Sequence, residues 1–577
     1  MAPTTSRMSS ASIAFLPDDL LYETFLQCAG ACLQPHIGPD VWPFNRAVES
    51  FTPFWRINDH LCSRYTSPGR PKCWDWTATR LMLVCKRWSA LILDRRVLWS
   101  RPLFLEERSA QWTLSRSGNV PLIVRHALLG LADNSWFLNF MGQERGFSRC
   151  REVVIDVDRR IGGAYDDFLW LAQGWPSAAP LLEVLALGIP SGRPRRPNPL
   201  STAFLQSATR LRTLALVNFP LESWSSVHLK NLTTFIFRSE GRFEYTTVRD
   251  IIRFLRNTPQ LQTLVLGAPK SHFIEELTPV PCIRPVVALN CLSRLSLSGP
   301  RMHALDLFQH ISLPPNVVLE LRMYRCHPTD NVLYHLEEAI QERYHAAPLP
   351  LDPQTDLGDA DHRGSLPTFD RVSVHFYRNV EVTITGFTAA ADGTLHPAIS
   401  IVLGVEGVQR PASLVAQVLR VLRSGSAASF ALSSSRREDF DDAVFADEAL
   451  WHGLWRALPA LKILEIVNPE TSLEPFMRSL MPPLPPSLRA GALEEEEGCP
   501  LPALEELHVC DSYSEASAVL PGFACLRQAL KARAESGRRL RLLELRNWTA
   551  QVIWSVEEMR SERTVDEVVF NGFFVRG

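Results

Sequence analysis

The residues of this chain with the clearest potential for metal chemistry are cysteines and histidines near its N-terminus. They are Cys28, Cys32, His36, His60, Cys62 and Cys73. Zinc takes thiolate and imidazole ligands of this kind, usually from closely paired cysteines such as C-x-x-C. None of the 12 cysteines forms such a pair. We therefore predict reduced thiols, no metal and no cofactor, with a zinc site as the less favoured alternative.

Catalytic motifs are also missing from the sequence. It contains no phosphate-binding loop, no dinucleotide fingerprint, no H-E-x-x-H and no G-x-S-x-G. Cys85 invites interpretation as a nucleophile, but it lies in an apolar helical segment, where we expect it to pack. The sequence therefore favours a non-catalytic protein. An enzyme whose site assembles only in the folded chain is the alternative.

Charge and hydropathy narrow the possible partners. The formal net charge of -2 argues against nucleic acid or an anionic membrane recruited by bulk electrostatics. No apolar run reaches the roughly 18–20 residues needed to cross a bilayer. We predict no nucleic acid and no membrane partner, and a cytoplasmic and/or nuclear location.

The first predicted helix begins near residue 17 and ends near Ala29. Pro17 suits a first helical turn, where a backbone N–H is not required. Asp18 and Asp19 place negative charge at the positive end of the helix dipole. The apolar residues that follow at helical spacing are Leu20, Leu21, Phe25 and Cys28.

A second amphipathic helix is predicted to begin near Leu81. Its apolar positions fall at helical spacing and form one stripe, with two basic residues off its centre. The stripe comprises Leu81, Val84, Cys85, Trp88, Leu91 and Ile92. Leu98 and Trp99 follow directly. Two short helices bury little apolar surface, so part of this surface is predicted to meet a partner.

These segments, in this order, resemble the F-box of fungal-type F-box proteins. The matching residues are Leu16-Pro17-x-x-Leu20-Leu21-x-x-x-Phe25-Leu26, Val84-Cys85-Lys86-Arg87-Trp88-x-x-Leu91 and Leu98-Trp99. The resemblance implies a small helical unit that binds the ligase adaptor protein, which bridges to the cullin scaffold of a ubiquitin ligase. It implies adaptor contacts at or just beneath Leu16, Pro17, Leu20, Phe25, Val84, Cys85, Trp88 and Trp99. The alternative is that these apolar residues form only the core of the unit itself.

The F-box module is predicted to span residues 14–104, with an insertion at about 30–76. An F-box is usually continuous, so the insertion departs from the family pattern. It contains Trp42, Trp55, Trp74 and Trp76. Because indole rings favour burial, we expect these tryptophans to pack against the module or against the region that follows.

A strand pattern, L-x-x-L-x-L with apolar substitutes, recurs twelve times after the module. The triplets begin at Cys150, Leu182, Leu211, Leu232, Leu261, Leu292, Val318, Phe369, Leu461, Leu504, Leu540 and Val565. The first intervals run from 21 to 32 residues, which brackets the leucine-rich-repeat period. We therefore predict an α/β fold in which residues 105–577 form an irregular leucine-rich-repeat-like solenoid of neighbouring parallel strands. An ordinary α/β domain is the alternative.

The repeat is expected to be irregular at about 325–460. There the sequence predicts additional strands at 380–387 and 399–405, a helix at 411–422, and a loop at 424–442 rich in serine and charge. Together these features predict a substrate-recognition adaptor of a cullin–RING (SCF-type) ubiquitin ligase, with an unknown protein as its target. The alternative is an interaction scaffold whose F-box-like module takes no part in ubiquitination.

Overall fold

The computed structural model of the chain describes a series of segments. They are residues 16–31, 81–102, 104, 107–128, 135–157, 178–188, 199–239, 248–267, 287–314, 317–324, 336, 339–340, 368–377, 381–404, 411–422, 424–434, 448–467, 476, 478–480, 501–510, 516–546, 553–570 and 573–574. The four tryptophans of the predicted insertion lie outside these segments, as do all the candidate zinc ligands except Cys28.

The backbone forms two compact units. The first comprises Met1–Phe243 and Arg253–Thr263, and the second comprises Glu244–Ile252 and Leu264–Gly577. The predicted division between residues 104 and 105 stays a prediction.

The first unit combines short helices with a parallel sheet. Its helices are α1 (Asp18–Ala31), α2 (Lys86–Asp94), α3 (Glu107–Ser117), α4 (Ser135–Gly142), α5 (Glu144–Phe147) and α6 (Thr202–Ser207), with a 3-10 turn at Arg96–Trp99. Its strands are β1 (Leu122–Leu128), β2 (Cys150–Val157), β3 (Val184–Gly188), β4 (Thr213–Val217) and β5 (Thr234–Arg238). Each strand pairs in parallel with the next one along the chain.

Cross-strand ladders of buried residues explain this order. The register places Val153 beside Leu185, Leu185 beside Leu214, and Leu214 beside Phe235. All four side chains are fully buried. Because a residue and its cross-strand partner point to the same side of a sheet, each strand extends the apolar row begun by the one before it.

Helix α7 (Val248–Arg256) and strand β6 (Thr263–Gly267) contribute residues to both units. The apolar residues Ile251, Ile252 and Leu255 of α7 are all buried.

The second unit also has a mostly parallel sheet. Its helices are α8 (Arg301–Gln309), α9 (Pro411–Val421), α10 (Glu448–Ala457), α11 (Ala516–Glu535) and α12 (Ile553–Ser561). Its strands are β7 (Val287–Ala288), β8 (Arg294–Pro300), β9 (Ile311–Ser312), β10 (Val318–Tyr324), β11 (Arg371–Tyr377), β12 (Glu381–Ala389), β13 (Leu395–Gly404), β14 (Ser429–Ser434), β15 (Ile463–Val467), β16 (Glu506–Cys510), β17 (Leu540–Arg546), β18 (Val565–Phe570) and β19 (Phe573–Phe574). Strands β14 to β18 follow chain order and pair in parallel.

Chain order and strand order differ in the middle of the second unit. Strand β10 pairs in parallel with β13, and β12 lies antiparallel between β13 and β11. Strand β11 then pairs in parallel with β14. The prediction that all the triplet strands are neighbours is therefore wrong at two places. Strands β12 and β13 lie between the triplet strands at Val318 and Phe369, and β14 lies between those at Phe369 and Leu461. Short connections let β11, β12 and β13 fold back on one another in sequence.

The twelve predicted triplet strands all coincide with strands β2 to β6, β8, β10, β11 and β15 to β18. Their apolar residues are buried, including Leu214, Leu264 and Leu295, which are fully buried. One residue is misassigned. Val318 is half-buried, whereas Val317 is buried in phase with Leu319 and Leu321. The alternating side chains therefore place Val317 on the core side of the sheet.

Five of the described strands were not predicted from the sequence pattern. Three of them, β7, β9 and β19, are only two residues long. Strand β1 precedes the first predicted triplet, and β14 lies inside residues 424–442, where the sequence predicted a loop. In β14, buried Phe430 and Leu432 alternate with small residues. The many serines concealed a strand whose burial comes from its neighbours, β11 and β15. The additional strands and the helix predicted between residues 380 and 422 are confirmed as β12, β13 and α9.

Candidate protein-binding surface on the N-terminal helices

A compact apolar core joins the N-terminal helices. It consists of Leu21 and Phe25 from α1, Trp88 and Ile92 from α2, and Trp99 from the turn that follows. The rings of Phe25 and Trp88 meet edge to face, with centroids 4.8 Å apart. This geometry is one that aromatic pairs prefer.

Trp99 links this core to the rest of the first unit. Its Nε1 donates a hydrogen bond of 2.9 Å to the carbonyl of Ile92, which satisfies a buried polar group. Its ring also packs edge to face against Trp112 of α3, at 4.7 Å between centroids. The backbone N–H of Ile123 in β1 donates to the carbonyl of Ser100 at 2.8 Å.

The start of α1 leaves one apolar side chain in solvent. Leu21 donates its N–H to the carbonyl of Pro17 at 2.9 Å, and Leu21 itself is fully buried. Leu20 points to a different side of the helix and is 54% exposed. The apolar stripe of α1 therefore divides into a core side and an accessible side.

The predicted continuous helix from Leu81 is wrong at residues 83–85. Helix α2 begins at Lys86, and Cys85 is its N-cap in an extended conformation, with Sγ accepting from the N–H of Trp88 at 3.5 Å. Cys85 is exposed rather than packed in the core. The turn before it exposes 85% of Leu83 and 58% of Val84. The break moves Val84 from the predicted stripe to the surface.

Two arginines of the second helical segment reach the first turn of α1. Arg87 donates to Asp18 Oδ1 from Nε at 2.9 Å and from Nη2 at 2.6 Å, and Nη2 also donates to the carbonyl of Leu16 at 2.6 Å. Arg95 lies 3.6 Å from Asp19 and stacks over the ring of Tyr22. Sequence reasoning missed these contacts because it followed the apolar stripe. The signal for them was two acidic residues at a helix start and two arginines off the stripe.

The structure thus divides the predicted adaptor contacts into two groups. The accessible group contains Pro17, Leu20, Val84 and Cys85, and half-buried Leu16 packs against the core. The supporting group contains Phe25, Trp88 and Trp99, which are buried. The first group can touch a partner directly, while the second can only hold the first in place.

A second candidate surface is the polar face of strands β15 to β17. The register places Glu465 beside His508 and His508 beside Glu544. His508 Nδ1 lies 2.6 Å from Glu544 Oε2, and its Nε2 lies 3.1 Å from Glu506 Oε2. Hydrogen bonds from Arg546 and from His508 hold the pKa of Glu544 below its ordinary value. These side chains are partly accessible and carry both signs of charge.

Strands β8, β10 and β12 carry a buried group of charged residues. Glu320 lies 3.4 Å from Arg322 and 3.9 Å from Arg294. Burial raises the pKa of Glu381, and Arg322 lowers it while Glu320 raises it further. Buried ions that depend on one another in this way make this part of the sheet sensitive to substitution.

Within the described ranges, no group of three or more His, Cys, Asp and Glu residues is placed to hold a metal ion. The helices in those ranges include none with the length and apolar character needed to cross a membrane. Comparison of the chain with protein-family models finds no matching family, and comparison with curated proteins finds no matching relative.

Proposed function

We propose that this chain is a non-catalytic substrate-recognition adaptor of a cullin–RING (SCF-type) ubiquitin ligase. In this proposal the N-terminal helices form an F-box module that binds the ligase adaptor protein. The repeated strands form a leucine-rich-repeat-like region that binds a protein target. The chain supplies proximity, and catalysis belongs to other subunits of the complex.

The distribution of exposed apolar side chains carries the proposal. Six large hydrophobic residues of the described segments are exposed, and five of them lie between residues 20 and 112. Those five are Leu20, Leu83, Val84, Val97 and Trp112. Soluble proteins rarely concentrate exposed apolar residues on one small unit unless that unit binds a partner. Leu20 and Val84 are also positions of the F-box pattern.

The sheet face described above supports the second half of the proposal. Glu465, His508 and Glu544 stand side by side on parallel strands, opposite the buried leucines of those strands. A row of this kind gives a partner protein a broad, rigid surface with both donors and acceptors. Target specificity then resides in side chains that the core does not constrain.

Titration of the purified ligase adaptor with the full chain tests the proposal. We expect the double substitution Leu20→Ser and Val84→Ser to weaken binding by about tenfold to a hundredfold, since both side chains are exposed and apolar. Leu395→Ser is the matched control, because Leu395 is 41% exposed and lies on β13. A wild-type chain that is folded but does not bind the adaptor would refute the proposal and favour a scaffold outside ubiquitination.

A further inference from the structure

We propose that Arg87 is a positioning residue for the ligase adaptor: it fixes the start of α1 against the start of α2, so that Leu20 and Val84 face one partner together. This inference rests on the proposed function. The inference adds Arg87, a polar residue, to the residues on which binding depends. The spacing of apolar residues in the sequence does not identify it.

The geometry at Arg87 carries the inference. A single guanidinium reaches both the carbonyl of Leu16 and the carboxylate of Asp18, with three contacts between 2.6 and 2.9 Å. Arg87 lies in the first turn of α2, two residues after Cys85 and three after Val84. Leu16 and Asp18 lie four and two residues before Leu20 in the chain. The contact therefore joins the two backbone segments that bear the accessible apolar residues.

The apolar core of the module does not supply this contact. The core contains Leu21, Phe25, Trp88 and Ile92, and half-buried Leu16 packs against it. The core fixes how the helices pack, whereas Pro17 and Asp18 are exposed and lie outside it. A planar guanidinium, with several donors in a fixed fork, holds a carbonyl and a carboxylate at once more rigidly than the flexible ammonium of a lysine. Holding a binding segment in its bound geometry lowers the entropic cost of association.

A different role for Arg87 would be direct contact with an acidic partner. Lys86 separates the two roles, because it carries the same charge one residue earlier and is exposed. If the charge itself binds the partner, loss of either cation has a similar effect. If Arg87 acts through Leu16 and Asp18, loss of Lys86 has little effect.

The test is adaptor titration of the full chain carrying Arg87→Gln, Arg87→Lys or Lys86→Gln, alone and combined with Leu20→Ala. We expect Arg87→Gln to weaken binding by about threefold to tenfold, Arg87→Lys by less, and Lys86→Gln by less than about twofold. We also expect Arg87→Gln and Leu20→Ala to be non-additive, because a positioning residue matters less once the residue that it positions is truncated. Lys86→Gln and Leu20→Ala should be additive.

Unchanged binding by folded Arg87→Gln would overturn the inference, and so would equal, additive losses for Arg87→Gln and Lys86→Gln. If circular dichroism shows that Arg87→Gln is unfolded, Asp18→Asn takes its place, since Asp18 is exposed and lies outside the core. Asp18→Asn should then weaken binding, and full affinity would overturn the inference. A wild-type chain that does not bind at all would instead refute the proposed function.

Discussion

Trp88 and Leu83 lie five residues apart and experience opposite environments. Trp88 is 8% exposed and packs against Phe25, whereas Leu83 is 85% exposed. We expect Trp88→Ala to lower the free energy of unfolding of the N-terminal helices by about 3–5 kcal/mol. Leu83→Ala should change it by less than about 0.5 kcal/mol.

Urea unfolding of the full chain, followed by hydrogen exchange in residues 16–31 and 86–99, measures both effects. Leu83→Ala serves as the matched control for side-chain truncation in the same segment. A small effect of Trp88→Ala would show that the core assigned to these helices does not stabilise them.

Glu381 provides a test of electrostatics at the residue scale. Burial raises its pKa above the ordinary value of 4.5. At pH values between 4.5 and the raised pKa of the folded state, the Glu381 carboxyl binds more protons in the folded protein than in the unfolded chain. The contribution of Glu381 to stability therefore falls as the pH rises through that range. Glu381→Gln should remove this part of the dependence.

The measurement is the midpoint of chemical unfolding of both proteins at a series of pH values above 4.5. Glu381→Gln should gain stability over the wild type as the pH rises, because glutamine stays neutral. A difference between the two proteins that is constant with pH would contradict the assigned pKa shift. A difference that grows in the opposite direction would contradict its sign.

At the scale of elements, the hairpin of β12 and β13 depends on a close contact at one glycine. A Cβ atom at Gly386 would lie 2.6 Å from the ring of Phe369, too close for any ordinary contact. The register of β12 and β13 also shifts between Gly386 and Phe387. We therefore expect Gly386→Ala to destabilise the second unit by about 1–3 kcal/mol.

Gly453 in the interior of α10 is the matched control. A Cβ atom there would meet Ala416 at 3.6 Å, an ordinary contact, so Gly453→Ala should stabilise the protein by about 0.5–1 kcal/mol. Phe369→Leu, combined with Gly386→Ala, should lose less stability than the sum of the two single changes. Thermal unfolding of the four variants measures these effects. Additivity of the pair would show that the ring is not what excludes a side chain at Gly386.

The sequence predicted individual strands better than their arrangement. Local apolar periodicity identified twelve strands, because each must bury its own row of side chains. The order β10, β13, β12, β11, β14 depends on pairing between residues far apart in sequence, which no local pattern records. Strand β14 shows the same limit, since its serines hide a strand that is buried by β11 and β15.

The candidate site was only partly predicted, because the spacing of apolar residues reveals neither a helix cap nor a polar contact between distant residues. Leu20 and Val84 were identified from a family resemblance, and the structure places both at the surface. The exposure of Cys85 was not foreseen, because a helical stripe ignores where a cap interrupts the helix. Arg87 and its contact with Leu16 were missed, because a hydrogen bond between residues 71 positions apart produces no periodic pattern in the sequence.

At the scale of the whole molecule, the proposed function assigns two binding tasks to different parts of one chain. In that proposal the accessible residues of the N-terminal helices bind the ligase adaptor, and the polar face of the repeated strands binds the target. Linking two binding regions in one chain raises the effective concentration of the target beside the ligase. Loss of the first contact should therefore abolish ubiquitination without reducing the affinity for the target.

The proposed function requires this chain to join a cullin scaffold through the ligase adaptor. The most direct measurement is the mass of the particle formed when the 65.0 kDa chain is mixed with purified adaptor and cullin, determined by light scattering during size-exclusion chromatography. We expect a single particle with the summed mass of one copy of each protein, and we expect this particle to be lost when the chain carries both Leu20→Ser and Val84→Ser. A folded wild-type chain that elutes apart from an intact adaptor–cullin complex would show that the proposed function is wrong.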